Sequence, residues 1–104
     1  MRYKIKVVIK RPDESFGHKA SISPRLENLQ KTVGGEIDVI TLTDDIYIIC
    51  NKNAKSEKMP PNMRIGLFDV ICGNIIVCGK DEEDFDSLPI DFQTWKKIVS
   101  KWND

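Results

Sequence analysis

The sequence predicts an α+β domain: a small, mainly antiparallel β-sheet of about four strands with two helices packed on one face, in the order β-α-β-β-β-α. This class follows from period-two alternation at the start, apolar residues at helical spacing in two separate segments, and β-branched runs between them broken by turn formers. A chain of 104 residues matches one hydrophobic core, so residues 1–104 are read as a single domain.

From Arg2 to Lys10, Tyr3, Ile5, Val7 and Ile9 occupy one parity and Arg2, Lys4, Lys6 and Lys10 the other, the pattern of a half-buried strand that only Val8 interrupts. Pro12 ends it, and Asp13 to Ile22, with Gly17 and the single histidine His18, reads as a polar surface connection. Ser23-Pro24 is a helix opening, because a serine oxygen can accept from a first-turn amide and proline at the first position has no amide to leave unpaired. Leu26, Leu29 and Val33 then form an apolar stripe, and Gly34-Gly35 ends the helix. Glu36 to Leu42 and Ile46 to Cys50 are β-branched runs joined by Thr43-Asp44-Asp45, a hairpin.

Asn51 to Gly66, with its asparagines and Pro60-Pro61, reads as a long loop, and long loops in compact domains often carry function. Leu67 to Cys78 is the most apolar run and reads as strand, with Gly73 marking a bulge or a close backbone approach. After the acidic run Asp81 to Asp86, the residues Phe92, Trp95, Val99 and Trp102 recur at helical spacing, with Lys96, Lys97 and Lys101 toward the negative end of the helix dipole.

Sixteen Lys and Arg balance sixteen Asp and Glu, so no global field gathers nucleic acid or an anionic membrane, and any such binding needs a local patch. The lysines that interrupt the first residues leave no apolar run of about 7 to 15 residues for a signal peptide, nor is there one of about 18 for a spanning helix. Cys50, Cys72 and Cys78 are odd in number and sit in apolar strand-like runs, which suits a cytoplasmic, reduced protein. Their spacing and the single histidine do not suit a zinc site, and no other cofactor is implied. The glycine pair follows a helix where a phosphate loop would precede one, and the acidic run lacks the alternation and glycine of a calcium loop.

Three groups of residues remain as candidates. Arg2, Lys4, Lys6 and Lys10 form a basic parity that would serve as an anion patch, with Arg11 beside it for nucleic acid. Asn51, Lys52, Asn62 and Arg64 would line a ligand- or partner-binding loop, since asparagine offers both donors and acceptors and arginine clamps phosphate or carboxylate. Cys50 with His18 would be a nucleophile and its base only if the fold joined them. No catalytic constellation is expected.

The stretch Leu26-x-x-Leu29-Gln30-x-x-Val33-Gly34-Gly35-x-Ile37-x-Val39, then Asn51, Pro60-Pro61-Asn62, Asp69-x-Ile71-x-Gly73 and Asp84-Phe85-x-Ser87-Leu88, resembles the domain of unknown function 3846 family across residues 24–90. That family implies a small protein of Gram-positive bacteria, their phages and mobile elements, with no established activity. The chain departs from it mainly at its start, through a longer, more basic strand and the Asp13 to Ile22 connection. Together these readings lead to a non-enzymatic accessory protein of phage or mobile-element type. It would act against host defence by binding a host protein or by sequestering a small anionic, nucleotide-like ligand. The alternative is a nucleic-acid-binding module using the basic first strand. Open sheet edges make a homodimer the expected assembly.

Overall fold

A computed structural model describes residues 4–66, 69–82 and 84–103. Its elements are β1 (Ile5–Lys10), β2 (His18–Ile22), α1 (Leu26–Val33), β3 (Ile37–Thr41), β4 (Tyr47–Asn51), β5 (Pro61–Ile65), β6 (Asp69–Cys72), β7 (Ile75–Asp81), β8 (Asp84–Asp86) and α2 (Phe92–Asn103). The fold class is the expected α+β, with more strands than the sequence suggested. The main sheet runs β2-β1-β7-β4-β3, with β8 on the far part of β7, and β5-β6 forms a separate two-stranded sheet. Every strand pairing is antiparallel.

The sheet is covered on both sides, which corrects the expectation of helices on one face. On one side Ile5, Val7, Ile49, Ile76 and Cys78 pack with Leu29 and Val33 of α1. On the other, Val8, Ile48, Cys50, Ile75 and Val77 pack with Trp95 and Val99 of α2 and with Met63 and Ile71 of the β5–β6 hairpin. Central strands buried on both faces lose simple alternation and become continuous apolar runs, as Ile75–Cys78 does. Val8 interrupts the first strand's pattern for the same reason.

The added strands occupy segments whose composition hides them. β2 lies within the Asp13 to Ile22 segment and pairs with β1 from Ile5↔Ile22 to Ile9↔His18. Its polar residues are tolerated because it is an edge strand with alternate positions exposed. β5 begins at Pro61, a first-residue position where the missing amide does no harm. The apolar run after it divides into β6 and β7 at Gly73, which adopts φ +79°, and a Cβ there would lie 2.9 Å from Met59 Sδ. Of the two roles expected of Gly73, a bulge or a close approach, the structure shows a bend with a close approach, in a left-handed conformation that favours glycine.

Helix α1 starts later than Ser23-Pro24 suggests. Arg25 stands at its N-cap without a side-chain cap, and Gly34 closes it at φ 86°, ψ 21°, its amide bonded to Gln30 O. Leu26 is 55% exposed, so Leu29 and Val33 alone carry the buried stripe. The β3–β4 hairpin is as expected, pairing Ile37↔Asn51 through Thr41↔Tyr47. Its turn is held by Thr43 Oγ1, which accepts from the amides of Asp45 and Ile46 at 3.2 and 3.1 Å.

In α2 the Asp91 carboxylate accepts from the Thr94 amide at 2.8 Å, capping the first turn. Trp95 is fully buried, and its indole Nε1 donates to Phe16 O at 2.8 Å, tying the helix to the segment before β2. Trp95→Ala removes both the packing and this bond and should cost about 3 to 5 kcal/mol. Chemical denaturation measures it, and an unchanged midpoint would show that α2 does not cover the sheet.

Candidate functional site

The segment after β4 curls back on itself before β5. Ala54 N donates to Asn51 O, Glu57 N to Asn53 O and Met59 N to Ala54 O, and Lys58 takes a left-handed φ of 58°. Asn51 organises this start. Only 4% exposed, it donates from Nδ2 to Val33 O at 3.2 Å, and its Oδ1 accepts the Asn53 amide at 2.7 Å. Both ends of its amide thus make structural bonds, Nδ2 to the end of α1 and Oδ1 to the start of the loop.

Asn62 is engaged just as fully. Its Nδ2 donates to Lys10 O and to Gly73 O, both at 2.7 Å, while its Oδ1 accepts from Lys10 Nζ at 2.7 Å. Lys10 Nζ also donates to Asn62 O at 3.1 Å. This reciprocal clamp joins two residues that the sequence reading had put in different groups. It fastens β5 to β1 and to the β6–β7 junction. Gly73 N donating to Pro60 O, and Asn103 bridging both the amide and the carbonyl of Arg64, secure the hairpin further.

The basic parity of the first strand is consequently not one exposed face. Lys10 is 2% exposed, because α2 and the β5–β6 hairpin cover that side of the sheet. Its burial lowers the lysine pKa, partly offset by the nearby Glu14 carboxylate. Lys4 and Lys6 are exposed, whereas Arg2 lies outside the described residues. Arg64 is exposed on β5 while its neighbour Ile65 turns inward, as alternation in a strand requires.

Between β3, β4, the loop and the hairpin lies a groove of about 540 Å³, within the size range of small-molecule sites. Ile40, Cys50, Ile65, Val70, Ile71 and Cys72 give it apolar walls. The loop contributes Lys52, Lys55 and Ser56, and the strands contribute Asp38 and Asp69. Of the expected binding residues, Asn51 and Lys52 reach this groove. Asp38, Lys55 and Asp69 were not foreseen, since they become neighbours only once the hairpin folds back over β4.

The cysteines are free. Burial pushes the Cys50 thiol up to about 11, with the Asp38 carboxylate adding to the shift, and pushes Cys78 up to about 12. Thiols so shifted stay protonated and unreactive near neutrality. His18 stands opposite Ile9, Ile9 opposite Ile76, and Ile76 opposite Ile49. Three strand spacings, about 14 Å, thus separate His18 from the neighbourhood of Cys50, so the fold does not make them a pair. Among the described residues, no group of three or more His, Cys, Asp or Glu is placed to hold a metal ion, and no helix is long and apolar enough to cross a membrane.

The geometry is that of an α+β protein whose sheet is packed on both faces, with a mixed apolar and charged groove beside a clamped hairpin. The chain belongs to the family described as a domain of unknown function (DUF3846), whose model matches residues 5–101. That match takes in β1 and the connection after it, so the N-terminal departure from the family pattern falls within the family domain. No curated protein and no solved structure matches the chain.

In iodoacetamide at neutral pH, Cys50 and Cys78 of the native protein should remain unmodified, with Cys72, only partly buried, alkylated first. Mass mapping reads this directly, and rapid labelling of Cys50 would contradict the protonated, enclosed thiol described above.

Proposed function

We propose that this chain is a non-enzymatic binding protein that acts stoichiometrically, sequestering a small anionic ligand of nucleotide type in the loop-and-hairpin groove. The supporting observation is the groove's composition: apolar walls from Ile40, Ile65 and Val70, ammonium groups on the loop, and carboxylates on the strands. A nucleotide combines the matching features, namely a flat base with apolar faces, N–H and O–H donors at its edges, and an anionic phosphate. Lys52, Lys55 and Ser56 would meet the phosphate, and Asp38 and Asp69 would accept from base or sugar donors. With zero net charge, the attraction is local to this rim rather than a property of the whole surface.

A cytoplasmic setting and an accessory role for a phage or mobile element, directed against host defence, accompany this reading. They rest on the family resemblance and on the free cysteines. Nucleic-acid binding through the first strand has less support, because Lys10 is withdrawn into the clamp.

Calorimetric titration with adenosine 5′-monophosphate and with adenosine tests the proposal. The monophosphate should bind more tightly, and Lys52→Glu with Lys55→Glu should weaken it about tenfold or more, as expected for loss of charge-assisted hydrogen bonds. Adenosine binding should be nearly unchanged by the same substitutions. Equal affinity of the double variant for the monophosphate, or no saturable binding by the native protein, would overturn the reading.

A further inference from the structure

Lys10 borders a second cleft of about 400 Å³, formed by the segment before β2, by Asn62 and by the last turns of α2. An ammonium has three protons to donate, and among the described residues Lys10 Nζ is bonded to two neutral oxygens, both of Asn62. Among the described residues the ion pairs within 4.0 Å are His18–Glu14 and Arg25–Glu27, so no described carboxylate is in direct contact with Lys10, and Glu14 acts on it only from farther away. A cation drawn back from solvent in this way gains from a matching anion. Ser15 and Ser100 line the same cleft, and Phe16 and Val99 supply apolar residues to it.

The other charges of the cleft narrow the choice of anion. Asp13 and Glu14 both line it. Glu14 is already occupied: its oxygens accept the Arg11 amide at 2.8 Å and lie 2.9 Å from His18 Nδ1, and the Arg11 bond chiefly holds its carboxyl below the usual range. Asp13 is exposed. One buried cation beside two carboxylates disfavours a multiply charged anion such as phosphate and favours a ligand that brings a positive group of its own.

We propose that this cleft takes a small zwitterion of the free amino acid type, its carboxylate against Lys10 Nζ, its ammonium toward Asp13 and its side chain along Phe16 and Val99. The site is separate from the groove proposed above and stands without it.

Titration of the ¹⁵N-labelled full chain, followed by amide chemical shifts, tests this with L-leucine, 4-methylpentanoate and inorganic phosphate as probes. L-leucine should give saturable shifts at Ser15, Phe16 and Ser100, 4-methylpentanoate weaker ones at the same amides, and phosphate none there. Lys10→Met should abolish the leucine response. Because that substitution also disturbs the clamp, Asp13→Asn at an exposed position provides the second test. It should weaken L-leucine roughly two- to fivefold, the scale of an exposed ion pair, and leave 4-methylpentanoate unaffected. Phosphate binding as tightly as leucine, a leucine response indifferent to Asp13→Asn, or no saturable response to leucine would each overturn the proposal.

Discussion

The reciprocal bond between Lys10 and Asn62 is the constraint on which both cavities depend. A two-stranded hairpin is marginally stable by itself, and β5–β6 is not part of the main sheet. It is held by the apolar contact of Met63 and Ile71 with the core and by Asn62, whose amide spans from β1 to the turn at Gly73. One residue thereby fixes the hairpin's height above β4, which forms the groove, and its approach to β1 and α2, which forms the cleft. Burying a lysine for this purpose is costly unless its protons find acceptors, and Asn62 provides two of them.

The main sheet supplies the rigidity that such a clamp requires. β7 lies at its centre between β1 and β4 and is fully buried from Ile75 to Cys78. α1 closes one face and α2 with the hairpin closes the other. Cys50 and Cys78 serve here as small apolar residues, and Cys50 borders the groove without the acidity of a nucleophile. At the β3 edge, Asp38 faces two ways. Its carboxylate accepts from the Val39 amide at 3.0 Å, masking a donor that another strand would use, and it also borders the groove.

Much of the fold was legible because local signals and tertiary burial agree. The β3–β4 hairpin, the glycine that closes α1 and the Trp95–Val99 stripe of α2 all lie where periodicity and turn chemistry put them. β2, β5 and β8 were missed because edge and hairpin strands need only one buried side, so His18–Ile22, Pro61–Ile65 and Asp84–Asp86 keep the composition of loops. The two-sided burial of the sheet was foreshadowed by Val8. Site residues were harder to see. Asn51, Lys52, Asn62 and Lys10 were identified as notable, yet nothing in their spacing indicates that Asn62 turns to Lys10, 52 residues away in the chain. Nor does the order of residues announce that Asp38, Lys55 and Asp69 share a rim.

The clamp is tested most directly by native-state hydrogen exchange in the Asn62→Ala protein. Loss of the amide takes the Nδ2 donor from the carbonyls of Lys10 and Gly73 and leaves Lys10 Nζ only the backbone oxygen of residue 62, a penalty of about 1 to 3 kcal/mol for each buried group left unpaired. If the hairpin depends on the clamp, the amides of Met63, Ile65 and Ile71 should exchange markedly faster, while those of Ile48, Ile76 and Val77 in the central strands keep most of their protection. Unchanged protection of the hairpin, or an equal loss across hairpin and central sheet, would contradict it.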